Sequence, residues 1–164
     1  DPKKLMDKVK KALSEGDSRV AVGYCEATPG PVARVLASAI DLIGLPAEQI
    51  REGVNEAYLS ETPRLERGLP VLSTIVTISP LLGLLGTITG LMSLFRVIAG
   101  GEIGNSEALS GGIAQALITT ATGLSIAILF LIVHNILATR VDRLVNQMEQ
   151  NVTELLNFVR KEGV

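Results

Sequence analysis

Residues 68–95 read GLPVLSTIVTISPLLGLLGTITGLMSLF and contain no charged side chain. A second run, residues 108–139, reads ALSGGIAQALITTATGLSIAILFLIVHNILAT and is uncharged apart from the titratable His134. A helix needs about 20 apolar residues to cross a bilayer, and both runs are longer than that. A buried hairpin in a soluble core is the alternative, but a soluble helix of this length normally has a polar face. The two runs therefore predict a helical hairpin through a membrane.

The charged residues lie almost entirely outside these two runs. The chain has 164 residues, 20% of them charged, and a net charge of -2. Only Arg96, Glu102 and Glu107 are charged between residues 69 and 139. We therefore divide the chain into five predicted segments: a cytoplasmic helical segment (1–67), a transmembrane helix (68–97), a short periplasmic loop (98–107), a second transmembrane helix (108–139) and a cytoplasmic helical extension (140–164).

Basic residues set the predicted orientation of the hairpin. Residues 1–67 contain ten Lys and Arg residues, the stretch 96–107 between the uncharged runs contains one (Arg96) and the tail after residue 139 contains four. Because cytoplasmic segments are enriched in Lys and Arg, both flanks are expected in the cytoplasm. The single cysteine, Cys25, forms no intrachain disulfide and agrees with a reducing compartment.

Both flanks show apolar residues at helical spacing and no strand-like alternation. The sequence therefore predicts an all-α integral membrane protein whose long transmembrane helices extend into a cytoplasmic helical domain. Residues 1–17, DPKKLMDKVKKALSEGD, place Leu5, Met6, Val9 and Leu13 on one face among five lysines. Two interpretations of this helix stay open: a membrane-surface helix near anionic lipid, or a helix packed on its neighbours.

Composition excludes several classes of function. The chain has one His, one Cys, no glycine-rich phosphate loop and no metal-ligand spacing, so we expect no enzyme, no catalytic residue and no metal site. Near-neutral charge, 3% aromatic residues and no Trp argue against nucleic-acid binding.

Small residues form a stripe on the first predicted span. Gly83, Gly86 and Gly90 lie within about 60° of one another on a helix, and Thr87 shares their stripe. Residues this small let a second helix approach closely, so we assign them to helix packing, together with Gly123 of the second span. 

Pro80 of the first span, which we also assign to helix packing, leaves one backbone carbonyl without its usual N–H donor. The hydroxyls of Thr77 or Ser79 are expected to satisfy that carbonyl in part.

Polar side chains of the second span fall on two faces. Gln115, Thr119 and Thr122 share one face. The adjoining face has Ala116, Thr120, Gly123, Ala127 and His134. A glutamine in hydrocarbon is costly unless it faces protein or a water-lined path. The alternative for the hydroxyls is that they bond to their own helix and serve only close packing. Neither uncharged run, 68–95 or 108–139, contains Asp, Glu, Lys or Arg, so any ion conduction needs a carboxylate from a partner.

Two motifs carry a family resemblance: PLLGLLGTITGLMSLF (residues 80–95) and GGIAQALITTATGLSIAI (residues 111–128). In this order and spacing, over roughly residues 69–140, the chain resembles the ExbB/TolQ branch of the MotA/TolQ/ExbB proton-channel family. The resemblance implies a pentameric ring in the bacterial cytoplasmic (inner) membrane. Its pore would hold the membrane helices of a dimeric ExbD/TolR-like partner, whose membrane aspartate carries protons. Protons, or Na⁺ as the alternative, are the coupling ion, and no cofactor is implied.

The resemblance also implies a function and a set of site residues. The proton motive force would drive TonB-dependent outer-membrane import, with Tol-Pal envelope maintenance, gliding motility or a non-conducting scaffold as alternatives. A TonB- or TolA-like protein is then a further partner. The family's pore-facing threonines match Thr87 and Thr120, and the predicted pathway also includes Gln115, Thr119 and Thr122.

The chain departs from the family pattern in two ways. Many relatives carry a glutamate where this sequence has Gln115, so a role of that position in proton uptake is in doubt. Family members usually have a transmembrane helix before the cytoplasmic domain. We expect that this helix is missing from the sequence, with a true two-span variant as the alternative.

Overall fold

The computed structural model describes residues 2–100 and 106–162, and every regular element in those ranges is an α-helix. The helices are α1 (Pro2–Ser14), α2 (Ser18–Glu26), α3 (Pro31–Asp41), α4 (Ala47–Glu66), α5 (Leu69–Ala99) and α6 (Ser106–Glu162). The all-α prediction is therefore confirmed. Of the predicted loop 98–107, residues 101–105 lie outside the described residues, and the membrane boundaries and sides stay predictions.

The chain divides into two compact units. We call residues 2–67 with 139–162 the charged unit, and residues 68–100 with 106–138 the hairpin unit. Helix α6 contributes its first part to the hairpin unit and its last part to the charged unit.

Short turns separate the first three helices of the charged unit. After α1 the chain turns at Gly16, whose φ of 80° suits a residue without a Cβ. Helix α2 begins after Asp17, whose carboxylate accepts a hydrogen bond from the backbone N–H of Val20 at 3.2 Å. Gly30 (φ 137°) is the N-cap of α3, which begins at Pro31. Helix α2 itself was not predicted.

The apolar faces of these helices form the core of the charged unit. The core includes one side of α1, most of α3 and the last part of α6, which contributes Met148, Val152 and Leu155. Four side chains on this side of α1 are only 0–5% exposed, so the face is covered by protein: Leu5, Met6, Val9 and Leu13. Of the two interpretations of α1, the structure therefore supports packing, and the lysines occupy the outer side.

A buried carboxylate links α3 to α4 in the same unit. Glu61 is 4% exposed, and its two oxygens accept hydrogen bonds from Arg34 of α3 at 2.5 Å and from Arg64 of α4 at 2.8 Å. The hydrogen bond from Arg34, and then the charges of both arginines, hold the pKa of Glu61 below its ordinary value. The carboxylate is therefore ionised at neutral pH.

Replacing Glu61 with Gln is expected to lower the unfolding free energy by about 1–2 kcal/mol at neutral pH, because both arginines are partly exposed. A depressed pKa in the folded state stabilises the protein above the ordinary glutamate pKa, and this contribution disappears as pH falls through the folded-state value. Thermal unfolding of wild type and variant at pH 7 and in acid measures the difference, which should shrink in acid. Glu66→Gln, at an exposed position of α4, is the matched control.

Helices α5 and α6 of the hairpin unit are long and apolar enough to cross a membrane. In their most apolar 18-residue windows only 11% and 17% of the residues are buried. Leu81, Leu85 and Leu129 are among the large apolar side chains that are more than half exposed. A helical hairpin in a soluble core would bury these side chains, so the exposed surface suits lipid or neighbouring membrane helices.

Candidate functional site in the helical hairpin

Glycines bring the backbones of α5 and α6 into direct contact. A Cβ built on Gly123 would lie 2.6 Å from the carbonyl oxygen of Ser79 and 3.0 Å from the Cα of Gly83. A Cβ on Gly83 would lie 3.0 Å from the carbonyl oxygen of Thr119. Because these neighbours are backbone atoms, no side-chain rotation relieves the contact. We call this α5–α6 contact the glycine seam.

Gly90 and Gly86 extend the seam along α5. A Cβ on Gly90 would lie 3.1 Å from the Cβ of Ala116, and one on Gly86 would lie 2.5 Å from both Cβ and Oγ1 of Thr119. Gly83, Gly90 and Gly123 are buried and Gly86 is half-buried. The structure therefore brings the four glycines assigned to packing to one interface, although their role in assembly stays a prediction.

Two threonines bond across the seam in a reciprocal arrangement. The hydroxyl of Thr87 on α5 lies 3.2 Å from the carbonyl oxygen of Ala116 on α6. In the other direction, the hydroxyl of Thr120 on α6 lies 3.4 Å from the carbonyl oxygen of Gly83 on α5. The two hydroxyls also lie within hydrogen-bonding distance of each other, and because each has only one proton, these contacts alternate and do not all form at once. We call these four residues the threonine cluster.

Equal spacing in the two helices explains the reciprocity. Each threonine follows a small residue by four positions, Gly83 before Thr87 and Ala116 before Thr120, and residues four apart lie on the same helix face. Sequence reasoning placed Ala116 on the face of Thr120 but did not predict the contacts with the two carbonyl oxygens. The shared spacing of a small residue four positions before a threonine was the signal that could have found them.

Thr119 and Thr122 bond differently from the threonine cluster. The Thr119 hydroxyl donates to the carbonyl of Ala116 at 2.8 Å, and the Thr122 hydroxyl donates to the carbonyl of Ile118 at 2.8 Å. Both acceptors belong to α6, so these two hydroxyls bond to their own helix. The Thr87 hydroxyl lies 3.2 Å from the carbonyl oxygen of Gly83 on its own helix as well, but Thr87 and Thr120 both also reach the opposite helix.

The predicted pathway residues therefore fall in two places. Thr87 and Thr120 are half-buried in the seam, whereas Gln115 and Thr122 are exposed and Thr119 is half-buried beside Gly86. Thr119 and Thr122 line a groove of about 260 Å³ between α5 and α6, among apolar side chains. The structure does not bring all five side chains together.

The hydroxyls near Pro80 do not act as predicted. Proline lacks the N–H that would reach the carbonyl four residues earlier, that of Val76. The hydroxyl of Thr77 donates instead to the carbonyl of Ser73 at 3.0 Å, and the hydroxyl of Ser79 donates to that of Ile75 at 2.7 Å. Each hydroxyl bonds to the carbonyl four residues before its own position, so neither hydroxyl bonds to the carbonyl of Val76.

The chemistry available in the seam is that of neutral hydroxyls. A threonine hydroxyl donates one hydrogen bond and accepts two, and it does not titrate near neutral pH. The threonine cluster can therefore hold and redirect hydrogen bonds, but it cannot itself carry a net charge. Over residues 2–100 and 106–162, no group of three or more His, Cys, Asp or Glu side chains could hold a metal ion.

Fold and seam together define a class: an α-helical membrane protein whose two long apolar helices meet through glycines and bridging hydroxyls. The family model described as the MotA/TolQ/ExbB proton channel family matches residues 27–150. The chain belongs to this family, whose members are proton-channel subunits and not enzymes.

Several curated sequences are similar to the chain. A biopolymer transport protein designated ExbB-like 3, from Synechocystis sp., is 40% identical over 108 residues, which cover 65% of this chain and 51% of the relative. The Tol-Pal system protein TolQ of Haemophilus influenzae is 32% identical over 110 residues, or 67% of this chain and 48% of TolQ. The biopolymer transport protein ExbB of Salmonella typhimurium is 34% identical over 129 residues, which cover 65% of this chain and 53% of ExbB. The chain thus spans about half the length of the relatives it matches.

Proposed function

We propose that the chain is a subunit of a proton-driven motor in the bacterial inner membrane. In this proposal it forms a homo-oligomer, a pentamer by family analogy, around a dimeric ExbD/TolR-like single-span partner. Proton flow through the complex performs mechanical work for TonB-dependent outer-membrane import.

The observation that carries the proposal is the threonine cluster. Thr87 and Thr120 are polar groups that bridge two helices in a stretch without Asp, Glu, Lys or Arg. Hydroxyls there can form hydrogen bonds with a group that carries a proton, but the titrating group must come from elsewhere. A membrane carboxylate on the partner supplies it, and the proton is the coupling ion with no other cofactor.

Reconstitution tests the proposal. The full-length protein and its partner are placed together in liposomes with an imposed pH gradient, and internal pH is followed with a dye. Flux that requires both proteins, and that disappears when the partner's membrane Asp becomes Asn, supports the proposal. The absence of flux from the complex would overturn it. Repeating the measurement with a Na⁺ gradient at equal pH on both sides distinguishes H⁺ from Na⁺.

The similarity to TolQ favours a second function, a motor for Tol-Pal envelope maintenance. The membrane chemistry is then the same, and only the periplasmic load differs. Deleting the gene and measuring both siderophore uptake and detergent sensitivity distinguishes the two functions, because import loss affects the first and envelope weakness affects the second.

The glycine seam favours a third function, a membrane scaffold that conducts nothing. In that case the reconstituted complex assembles without flux, Thr→Val changes in the threonine cluster are silent, and Gly86→Leu disrupts assembly.

A further inference from the structure

Charge is divided unequally among the helices of the charged unit. Helix α1 contains five lysines and one aspartate, whereas α4 contains five glutamates and two arginines. The uneven distribution gives the unit one strongly basic and one acidic helix surface.

The lysines of α1 include an outward stripe. Lys4, Lys8 and Lys11 follow each other at i, i+4 and i+7, and on a helix they fall within about 60° of one another. All three are exposed, because the opposite side of α1 is buried in the core. Lys10 lies off this stripe and pairs with Glu154 of α6. We call the three outward residues the lysine stripe.

An open groove of about 580 Å³ lies between α4 and the last part of α6. Its exposed acidic residues are Glu48, Glu52 and Glu149, and Arg51 also lines it. Apolar and neutral polar groups complete the surface: Val54, Asn55, Tyr58, Val152, Thr153 and Leu156. We call this the acidic groove. It combines apolar area, which lysine stems can cover, with carboxylates that pair with lysine ammonium groups.

The lysine stripe and the acidic groove lie on different sides of the unit. Helix α1 contacts α6 through Lys10, which pairs with Glu154 and lies 5.7 Å from the ring centroid of Phe158. At 100° per residue, Glu154 and Phe158 lie about 140° and 180° around α6 from Glu149 of the groove. The lysine stripe of one copy therefore does not lie in the acidic groove of the same copy. The stripe of a neighbouring copy can bind there.

We propose that the lysine stripe of one copy docks into the acidic groove of the next copy, head to tail. Two different surfaces of the same chain then meet, and rotation about one axis repeats the contact until a ring closes. The proposal rests on the self-association in the proposed function and adds the two surfaces that make it. Opposite charges on the two surfaces fix the order of neighbours and penalise head-to-head pairing.

Disulfide trapping in native membranes tests the contact. The full-length protein with Lys4→Cys and Glu52→Cys is oxidised, and we expect a ladder of covalent multimers on a non-reducing gel. The native thiol gives little background, because Cys25 is 2% exposed and burial raises its pKa to about 11. Lys4→Cys with Glu66→Cys, at an exposed α4 position outside the groove lining, is the matched control and should give no ladder.

Charge reversal adds a test that does not depend on thiols. Changing Lys4, Lys8 and Lys11 to Glu should reduce the multimers seen by native gel electrophoresis, which needs no amine-reactive cross-linker, at least about tenfold, since like charges then face each other. Adding Glu48→Lys, Glu52→Lys and Glu149→Lys to the same chain should restore them.

The outcomes separate the two proposals. If formaldehyde traps multimers of wild type but the Lys4–Glu52 pair gives no ladder, the surfaces are wrong and self-association stands. If formaldehyde traps no multimers of wild type, self-association itself fails. If the triple reversal leaves multimers unchanged but abolishes binding of the detergent-solubilised protein to vesicles of phosphatidylglycerol, the stripe binds lipid and the proposed contact is overturned.

Discussion

Gly123→Ala should destabilise the association of α5 with α6 by about 1–3 kcal/mol, the usual cost of adding a methyl group to a tightly packed interface. The new Cβ would lie 2.6 Å from the carbonyl oxygen of Ser79, well inside van der Waals contact. Relief requires the two helices to move apart, which weakens the contact along the seam. An SDS titration of the purified protein in mixed micelles, with protease resistance as the measure of folded protein, gives the loss of stability.

Gly111→Ala is the matched control for this prediction. Gly111 also lies in α6, but a Cβ there meets no atom within 4 Å. The same substitution should therefore leave stability unchanged, or raise it by up to about 1 kcal/mol through the better helix propensity of alanine. Equal midpoints for the two variants would mean that the seam does not hold the hairpin together.

The double variant Thr87→Val, Thr120→Val should reduce proton flux through the complex with its partner at least about tenfold. Valine keeps the branched shape but removes both bridging hydroxyls, and losing hydrogen bonds to a buried polar group costs about 1–3 kcal/mol. Each 1.4 kcal/mol corresponds to about a factor of ten. The readout is the liposome flux assay, normalised to the amount of assembled complex.

Two controls separate conduction from folding. Thr87→Ser with Thr120→Ser keeps both hydroxyls and should retain most of the flux. Thr89→Val removes an exposed hydroxyl of α5 that donates to the carbonyl of Gly86 at 2.9 Å, and it should leave flux unchanged. Wild-type flux in the double valine variant would remove the threonine cluster from the proton pathway.

The helical hairpin was predictable because its evidence is local. Uncharged runs of 28 and 32 residues determine two long helices whatever surrounds them, and the glycines that line the seam share a face by spacing alone. Helix α2 was not predicted, because it has nine residues and buries only Ala21 and Cys25. So short a helix shows too little periodicity to be recognised.

Contacts between distant residues were not predictable from spacing. Arg34 and Glu61 lie 27 positions apart on different helices, and each alone is indistinguishable from a solvated surface charge.

Two interpretations of α1 stayed open for a similar reason. An amphipathic helix has the same pattern whether lipid or protein covers its apolar face, and only the burial of Val9 and Leu13 distinguishes them.

The candidate site was predictable in its parts but not in its arrangement. Thr87 and Thr120 were selected by resemblance, yet their reciprocal bonds to the carbonyls of Ala116 and Gly83 depend on how two antiparallel helices align. The contacts between small residues of α5 and small residues of α6 set this alignment. A single sequence does not show which of these residues form pairs.

The glycine seam has a consequence for the entropy of hairpin formation. Glycine has no side-chain rotamers, so contacts such as Gly123 against Gly83 and Ser79 order backbone that is already helical. In a membrane each helix forms before it associates with the other helix. The backbone entropy of glycine is therefore lost during helix formation and not during association. Association of the two helices then freezes few side chains at the seam. Dispersion between closely spaced backbones can therefore hold the hairpin together without the large loss of side-chain freedom that a leucine-lined interface would require.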